Sequence, residues 1–306
     1  MNIPGFQTHT AIIDRQNSEE LEVVYLDNGG EADAPCLLLL HGLFDNKATW
    51  THLCRQLGNS CRIVAPDLIG FGRSSKPPLL GRPESERYAA AMHVEFLGKF
   101  IDCLGLDNYI LVGNSLGGGI ALQLYLTRST QAEKIRGLIL IAAAGYPQEI
   151  PGYIRQLAGS LGSLLQITPL RGLLARLGIL EWLVRGSFHR TFFDPDNIPE
   201  ALVEEAVAII QLPDTVRSFQ LAARNIVPPD HAALVGKFSQ IDCPTLVLWG
   251  KQDRIIPSLF ALRFQEDIPH TELHTFDACG HASHIEYTEE SAALIDAWLQ
   301  RHFQNS

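Results

Sequence analysis

The chain has 306 residues, of which 46% are hydrophobic and 19% charged. That composition suits one large or two ordinary packed domains and excludes an intrinsically disordered chain. A formal net charge of −10 offers no electrostatic pull toward nucleic acid, so nucleic-acid binding is not expected. The start, Met1 to Phe6, lacks the basic end and apolar run of a signal peptide. No stretch of 18 or more uncharged apolar residues reads as a membrane span, and a cytoplasmic location is expected. Six cysteines show neither a C-x-x-C pair nor metal spacing. They are expected as reduced thiols, Cys279 among them as a packing residue, and no metal or cofactor is expected.

In chain order, Val23–Leu26 reads as an early strand. Continuous apolar runs follow at Cys36–Leu40, Ile63–Ala65, Ile110–Val112, Leu138–Ile141 and Thr245–Trp249, with a last strand-like run at Glu272–Phe276. Runs without alternation fit strands buried on both faces, hence a parallel sheet. Helical patterns lie between them; one runs from Ala89 to Leu104, with Met92, Phe96, Phe100 and Cys103 on one side. Alternating strand and helix predicts an α/β fold, a mostly parallel central sheet flanked by helices, with ligands at the carboxyl ends of the strands.

The alternation stops between Tyr146 and about Leu234. There Ile154, Leu157, Ala158, Leu161 and Leu165 recur at helical spacing, as do Leu173, Leu174, Leu177 and Leu180. Pro199 suits the first turn of a helix through Leu202, Val203, Ala206 and Ile210. We expect a core domain from residues 1–145 and 235–306, with residues 146–234 inserted as a helical cap.

The chemistry centres on Gly113-Asn114-Ser115-Leu116-Gly117, a G-x-S-x-G stretch between a strand pattern and a helix pattern. Such a turn holds a serine on a strained elbow with its hydroxyl exposed. A serine hydroxyl needs a base, and the base needs an orienting acid. Asp253 lies just past the strand ending at Trp249, and His281 follows Gly280 in a loop after the last strand. His284 is the competing base and Asp67 the competing acid; Asp242 precedes a strand and so lies at the wrong sheet end. Acyl transfer also needs donors to the developing oxyanion. The backbone N–H of Leu116 is one candidate. Leu43 is the second, with Phe44 as alternative, in the loop His41-Gly42-Leu43-Phe44. His41 is read as a buried loop brace.

These segments, together with Pro66-Asp67-Leu68-Ile69-Gly70-Phe71-Gly72-Arg73-Ser74, resemble the α/β-hydrolase superfamily from about Val23 to Phe303. The resemblance implies Ser115 as nucleophile, His281 as base and acid, and Asp253 as orienting acid. It also implies that the helical insert is a cap. The elbow Gly-Asn-Ser-Leu-Gly-Gly is similar to that of meta-cleavage-product hydrolases, which break C–C bonds. Those enzymes usually carry tryptophan after the histidine, where this chain has Ala282, and a cap arginine at a position that aligns with Ala206 or its neighbours. Arg190 and Arg217 are the substitutes at hand. A serine esterase acting on a small or medium hydrophobic ester is therefore expected. A C–C hydrolase and a ligand-binding receptor are the alternatives.

Pro151 to Arg190 carries Arg155, Arg171, Arg176, Arg185 and Arg190 against Glu181 alone, and is rich in leucine. Ordinary cap packing with solvated arginines is one reading of this stretch; transient contact with a membrane surface is the other.

Overall fold

The computed structural model describes residues 3–16, 19–30, 35–127, 132–227 and 231–303. Eight strands form one sheet: β1 (Gln7–Gln16), β2 (Glu19–Asp27), β3 (Cys36–Leu40), β4 (Arg62–Pro66), β5 (Tyr109–Asn114), β6 (Ile135–Ile141), β7 (Thr245–Gly250) and β8 (Thr271–Phe276). Their order is β1-β2-β4-β3-β5-β6-β7-β8. The pairs β1/β2 and β2/β4 are antiparallel and all others parallel. This is the α/β-hydrolase arrangement of a mostly parallel sheet flanked by helices.

The apolar runs are strands because they must be covered twice. Leu38, Leu40, Leu111 and Val247 face one core, whereas Leu37, Leu39, Ile110, Val112 and Leu246 face the other. Period-two alternation between two oily layers leaves no polar face, as expected of a buried parallel sheet. Helix α1 (Thr51–Leu57) contributes Leu53 and Leu57 to the second core. Helices α2 (Ala90–Leu104) and α3 (Leu116–Thr127) supply Phe96, Phe100, Ile120 and Leu124 to the first. The strand β1 had no apolar signature, because it is an edge strand with much of its length exposed. Cys103, which the helical pattern puts on the same side as Phe100, is exposed near the end of α2.

Between β6 and β7 the described residues form helices only: α4 (Gly152–Ala158), α5 (Ser160–Leu165), α6 (Thr168–Arg176), α7 (Ile179–Thr191), α8 (Glu200–Ile210), α9 (Thr215–Arg224) and α10 (His231–Val235), with a short 3-10 turn at Pro195–Asn197 and another at Phe238–Gln240. Two of the expected continuous helices are broken. Leucine periodicity runs across Gly159, which separates α4 from α5, and across Gly178, which takes φ +72° between α6 and α7. Glycine ends helices at such left-handed positions because it has no Cβ to strain. These helices share a small core of their own that joins Leu165, Leu180 and Val216. After β7 come α11 (Leu259–Asp267), then α12 (Ser283–Glu286) and α13 (Thr288–Phe303) following β8.

Close packing at the start of α3 yields a stability prediction. A Cβ on Gly117 would stand 2.1 Å from the Leu40 carbonyl oxygen and 2.8 Å from that of His41. Neither backbone atom can rotate away. Gly117→Ala should cost ~3 kcal/mol or more and lower Tm by about 6 °C or more. Gly172 lies inside α6 with nothing within 4 Å of its virtual Cβ. Gly172→Ala should instead stabilise by about 0.5–1 kcal/mol through helix propensity. Thermal melts of the two variants check the opposite signs.

Candidate active site

Ser115 sits between the last residue of β5 and the first of α3, with φ +53°. A non-glycine residue in this left-handed region is strained and persists only where its surroundings over-determine it. Here they do. The Ser115 N–H donates to the Ile141 carbonyl at 3.1 Å, and the Ser115 carbonyl accepts from Gly118, Gly119 and Ala144 N–H at 3.0, 3.2 and 2.9 Å. The turn leaves the side chain lining a cavity of about 610 Å³.

His281 lines the same cavity. Its Nδ1 lies 2.7 Å from Asp253 Oδ2, with the carboxylate fully buried. Asp253 Oδ1 accepts from the Ile255 and Ile256 N–H groups at 2.8 and 3.0 Å. The carboxylate is thereby fixed in plane and accepts the Nδ1 proton, leaving Nε2 with a lone pair. Asn114 Nδ2 donates to the His281 carbonyl at 3.4 Å, so the serine elbow and the histidine loop abut.

The strand-end loop after β3 completes this floor. A Cβ on Gly42 would meet Asn114 Oδ1 at 3.3 Å and Ser115 Cβ at 3.4 Å, which puts the loop backbone against the serine. Leu43, Phe44 and Leu116 all line the cavity, and Phe44 turns the loop with φ +62°. Leu116 opens α3, so its N–H has no acceptor within the helix.

The other singled-out residues lie elsewhere. Asp67 is fully buried and accepts from the Lys47 N–H, Lys47 Nζ and Arg73 N–H at 2.7, 2.7 and 2.9 Å. His284 lies with Nε2 3.0 Å from Thr49 Oγ1 and packs on Trp50; burial drives its pKa down to about 3. His41 Nε2 accepts from the Leu68 N–H at 3.0 Å, bracing one loop on another. Asp242 takes a hydrogen bond from Tyr125 at the opposite sheet end. Cys279 is buried, and burial beside Glu286 pushes its thiol up. In the cap, Ala206 and Arg190 line the cavity; Arg190 bonds the Gly186 carbonyl and stacks over Tyr153 at 5.4 Å. Arg217 pairs with Asp214 at 3.1 Å.

Two functional neighbours escaped sequence reasoning. Asp45 follows the Leu43–Phe44 loop and lines the cavity. Burial pushes its carboxyl up to about 7, and Asp67 adds to the rise; the Asn46 N–H, the Thr49 hydroxyl and His281 oppose it. Its place beside the oxyanion loop was the signal available. Glu286 is the other. Its Oε1 accepts from Gly280 N–H at 2.8 Å and its Oε2 from Phe193 N–H at 2.7 Å. His281 N–H donates to the Thr191 carbonyl at 2.7 Å. A Cβ at Gly280 would stand 2.4 Å from that carbonyl oxygen, so only glycine lets the cap strap lie on the histidine loop.

Comparison with known proteins agrees with this architecture. A family model described as the alpha/beta hydrolase fold matches residues 35–288. A 2-hydroxymuconate semialdehyde hydrolase of Pseudomonas putida is 30% identical over 246 residues, covering 78% of this chain and 76% of the relative. A 2-hydroxy-6-oxo-6-phenylhexa-2,4-dienoate hydrolase of Burkholderia cepacia is 27% identical, covering 87% of each chain. Among solved structures, a bacterial membrane phospholipase A superposes with TM-score 0.71 at 25% identity, over 99% of this chain and 88% of that one. A lipase-like structure from Acinetobacter baumannii AYE reaches TM-score 0.76 at 21% identity, over 99% and 93%, a likeness of fold alone. On the matched family model, the sheet order and the elbow together, the chain belongs to the α/β-hydrolase family and is a hydrolase.

Proposed function

We propose that the chain is a serine hydrolase that cleaves a hydrophobic carboxylic ester through an acyl-enzyme. The observation that carries this reading is a serine on a strained elbow and an Asp253-bound His281 facing one largely apolar cavity. His281 Nε2 takes the Ser115 hydroxyl proton as Oγ attacks the ester carbonyl. The N–H groups of Leu116 and Leu43 receive the developing oxyanion. The imidazolium then protonates the leaving alcohol, and a water activated by the same nitrogen releases the acid. Leu161, Leu165, Leu180, Val216 and Phe219 give the acyl chain an apolar wall.

Asp45 disfavours an anionic group beside the loop that follows β3. Asp45 stands beside the oxyanion loop and becomes an anion near neutral pH. An anionic group placed near it meets repulsion that the low-dielectric wall does little to screen. A C–C hydrolase of the kind named among the relatives is the second reading, and Arg190 at the cavity wall is the observation in its favour. That arginine is engaged with Gly186 and Tyr153, and Ala206 and Ala282 offer no polar group. A receptor that only binds would have no use for the His281–Asp253 pair.

Kinetics with p-nitrophenyl esters of increasing chain length, run beside a 2-hydroxy-6-oxo-dienoate, separate these readings. The wild type should prefer medium-chain esters. Preferred turnover of the dienoate would favour the second reading. Ser115→Ala should lose at least about 10⁴-fold in kcat. Asp253→Asn should lose up to about 10⁴-fold with the fold intact, because the histidine loses its orienting anion. Asp67→Asn should act on stability far more than on kcat, and the opposite ranking would reassign the acid.

Asp45 gives a pH prediction with a fixed sign. Its folded pKa is raised from 3.8 to about 7. The unfolded chain therefore binds fewer protons between those values, and stability due to the neutral carboxyl is lost as pH rises through about 7. Asp45→Asn should match wild type near pH 4. It should become the more stable of the two as pH rises to 7, by up to about 4 kcal/mol, less as water enters the cavity. Above pH 7 the gap should stay flat. Denaturant melts across this range test it, and parallel curves would show that Asp45 does not titrate as described.

A further inference from the structure

Among the described residues, seven of the twelve large apolar side chains exposed by more than about a third lie between Leu164 and Phe193, so exposed oil is concentrated on the helical insert. Six of them, Leu164, Ile167, Leu173, Leu177, Ile179 and Trp182, come from α5, α6, α7 and the turns joining them. Leu177 is 63% exposed and Trp182 72%. The same helices already bury an inner face, with Leu165 and Leu180 in the cap core and Leu161 and Leu174 packed against it. A surface helix with one apolar face inside normally turns charge to solvent. These turn leucine outward as well, which marks an interaction surface.

The charge around the patch says what kind of surface it meets. From Pro151 to Leu180 there is no acidic residue, in a chain of net charge −10. Of the three arginines there, Arg171 points inward, its guanidinium donating to the Leu165 and Gln211 carbonyls at 3.0 and 3.4 Å. Arg155 and Arg176 stay exposed, and neither has a carboxylate within salt-bridge reach among the described residues. Arg176 stands between Leu173 and Leu177, within the patch. Arg185, at its rim, is neutralised by Glu181 and Glu200. A second copy meeting this face about a two-fold axis would bring the unpaired arginines of both copies into one apolar interface. The patch offers aliphatic side chains, one tryptophan and unpaired cations, the composition of a face that enters an anionic lipid interface.

The cavity reaches this patch. Trp182 belongs both to the exposed patch and to the cavity wall, and Leu183, Gly186 and Arg190 of the same helix also line that wall. We infer that this face of the cap docks on an anionic lipid surface and that the substrate ester is drawn from that surface into the cavity. The second half rests on the ester reading; the docking does not.

Vesicles of phosphatidylcholine with about a third phosphatidylglycerol, at low salt, test it. Wild type should co-sediment, and its tryptophan emission should shift to the blue. Trp50, Trp249 and Trp298 are fully buried, so that shift reports Trp182. The triple variant Leu173→Gln, Arg176→Glu, Leu177→Gln, none of whose positions lines the cavity, should bind at least 10-fold more weakly. It should hydrolyse p-nitrophenyl acetate at the wild-type rate and lose activity on vesicle-borne medium-chain esters. Raising salt should weaken wild-type binding through screening. Ser115→Ala should bind vesicles as wild type does, which keeps docking separate from chemistry. Absence of wild-type binding at low salt, or equal binding by the triple variant, overturns the docking. A concentration-dependent dimer that the triple variant abolishes, with no vesicle binding, assigns the face to a second copy and overturns it too. Vesicle binding by wild type without hydrolysis of any ester would overturn the ester reading and leave the docking standing.

Discussion

The arrangement depends on one strained residue. Ser115 can hold φ +53° only because its carbonyl collects three N–H groups while its own N–H reaches β6. Those bonds require α3 to begin almost against β3, and the approach is so close that residue 117 cannot carry a side chain. The same approach brings the loop after β3 alongside the serine, where Leu43 and Phe44 line the cavity. The proposed nucleophile and the proposed oxyanion donors are thus placed by a single packing constraint between a strand end and a helix start.

The proposed base, His281, is held by a different logic. Asp253 fixes the ring of His281, but the backbone of the histidine loop is fixed by the cap. The Thr191 carbonyl accepts from His281 N–H, and the Glu286 carboxylate ties Gly280 and Phe193 together. Burial raises the Glu286 pKa, against four hydrogen bonds that favour its anion. Helix α7 therefore connects two places: near one end it carries the exposed Trp182, which lines the cavity, and the other end rests on the His281 loop.

Much of this was legible in the sequence, for physical reasons. Strands covered on both faces must be apolar throughout, so β3 to β7 announced themselves, and the motifs at the strand ends singled out Ser115, Asp253 and His281, which the fold brings together. The first strand was invisible because an edge strand that stays largely exposed has no such constraint. The helix breaks at Gly159 and Gly178 were hidden because leucine spacing continues across them. Arg171 looked like a surface cation, yet it is buried on two carbonyls that come together only in the folded cap. Asp45 and Glu286 carry no motif; their roles arise from burial and from hydrogen bonds to distant segments.

The central claim is that Ser115 carries the acyl group between two half-reactions. It is tested most directly by quenching wild-type protein in acid during steady-state turnover of p-nitrophenyl decanoate and locating the adduct by peptide mass spectrometry. A decanoyl group is expected on the peptide containing Ser115, absent from Ser115→Ala. Undiminished decanoate hydrolysis by Ser115→Ala, or an acyl group on a different residue, would contradict it.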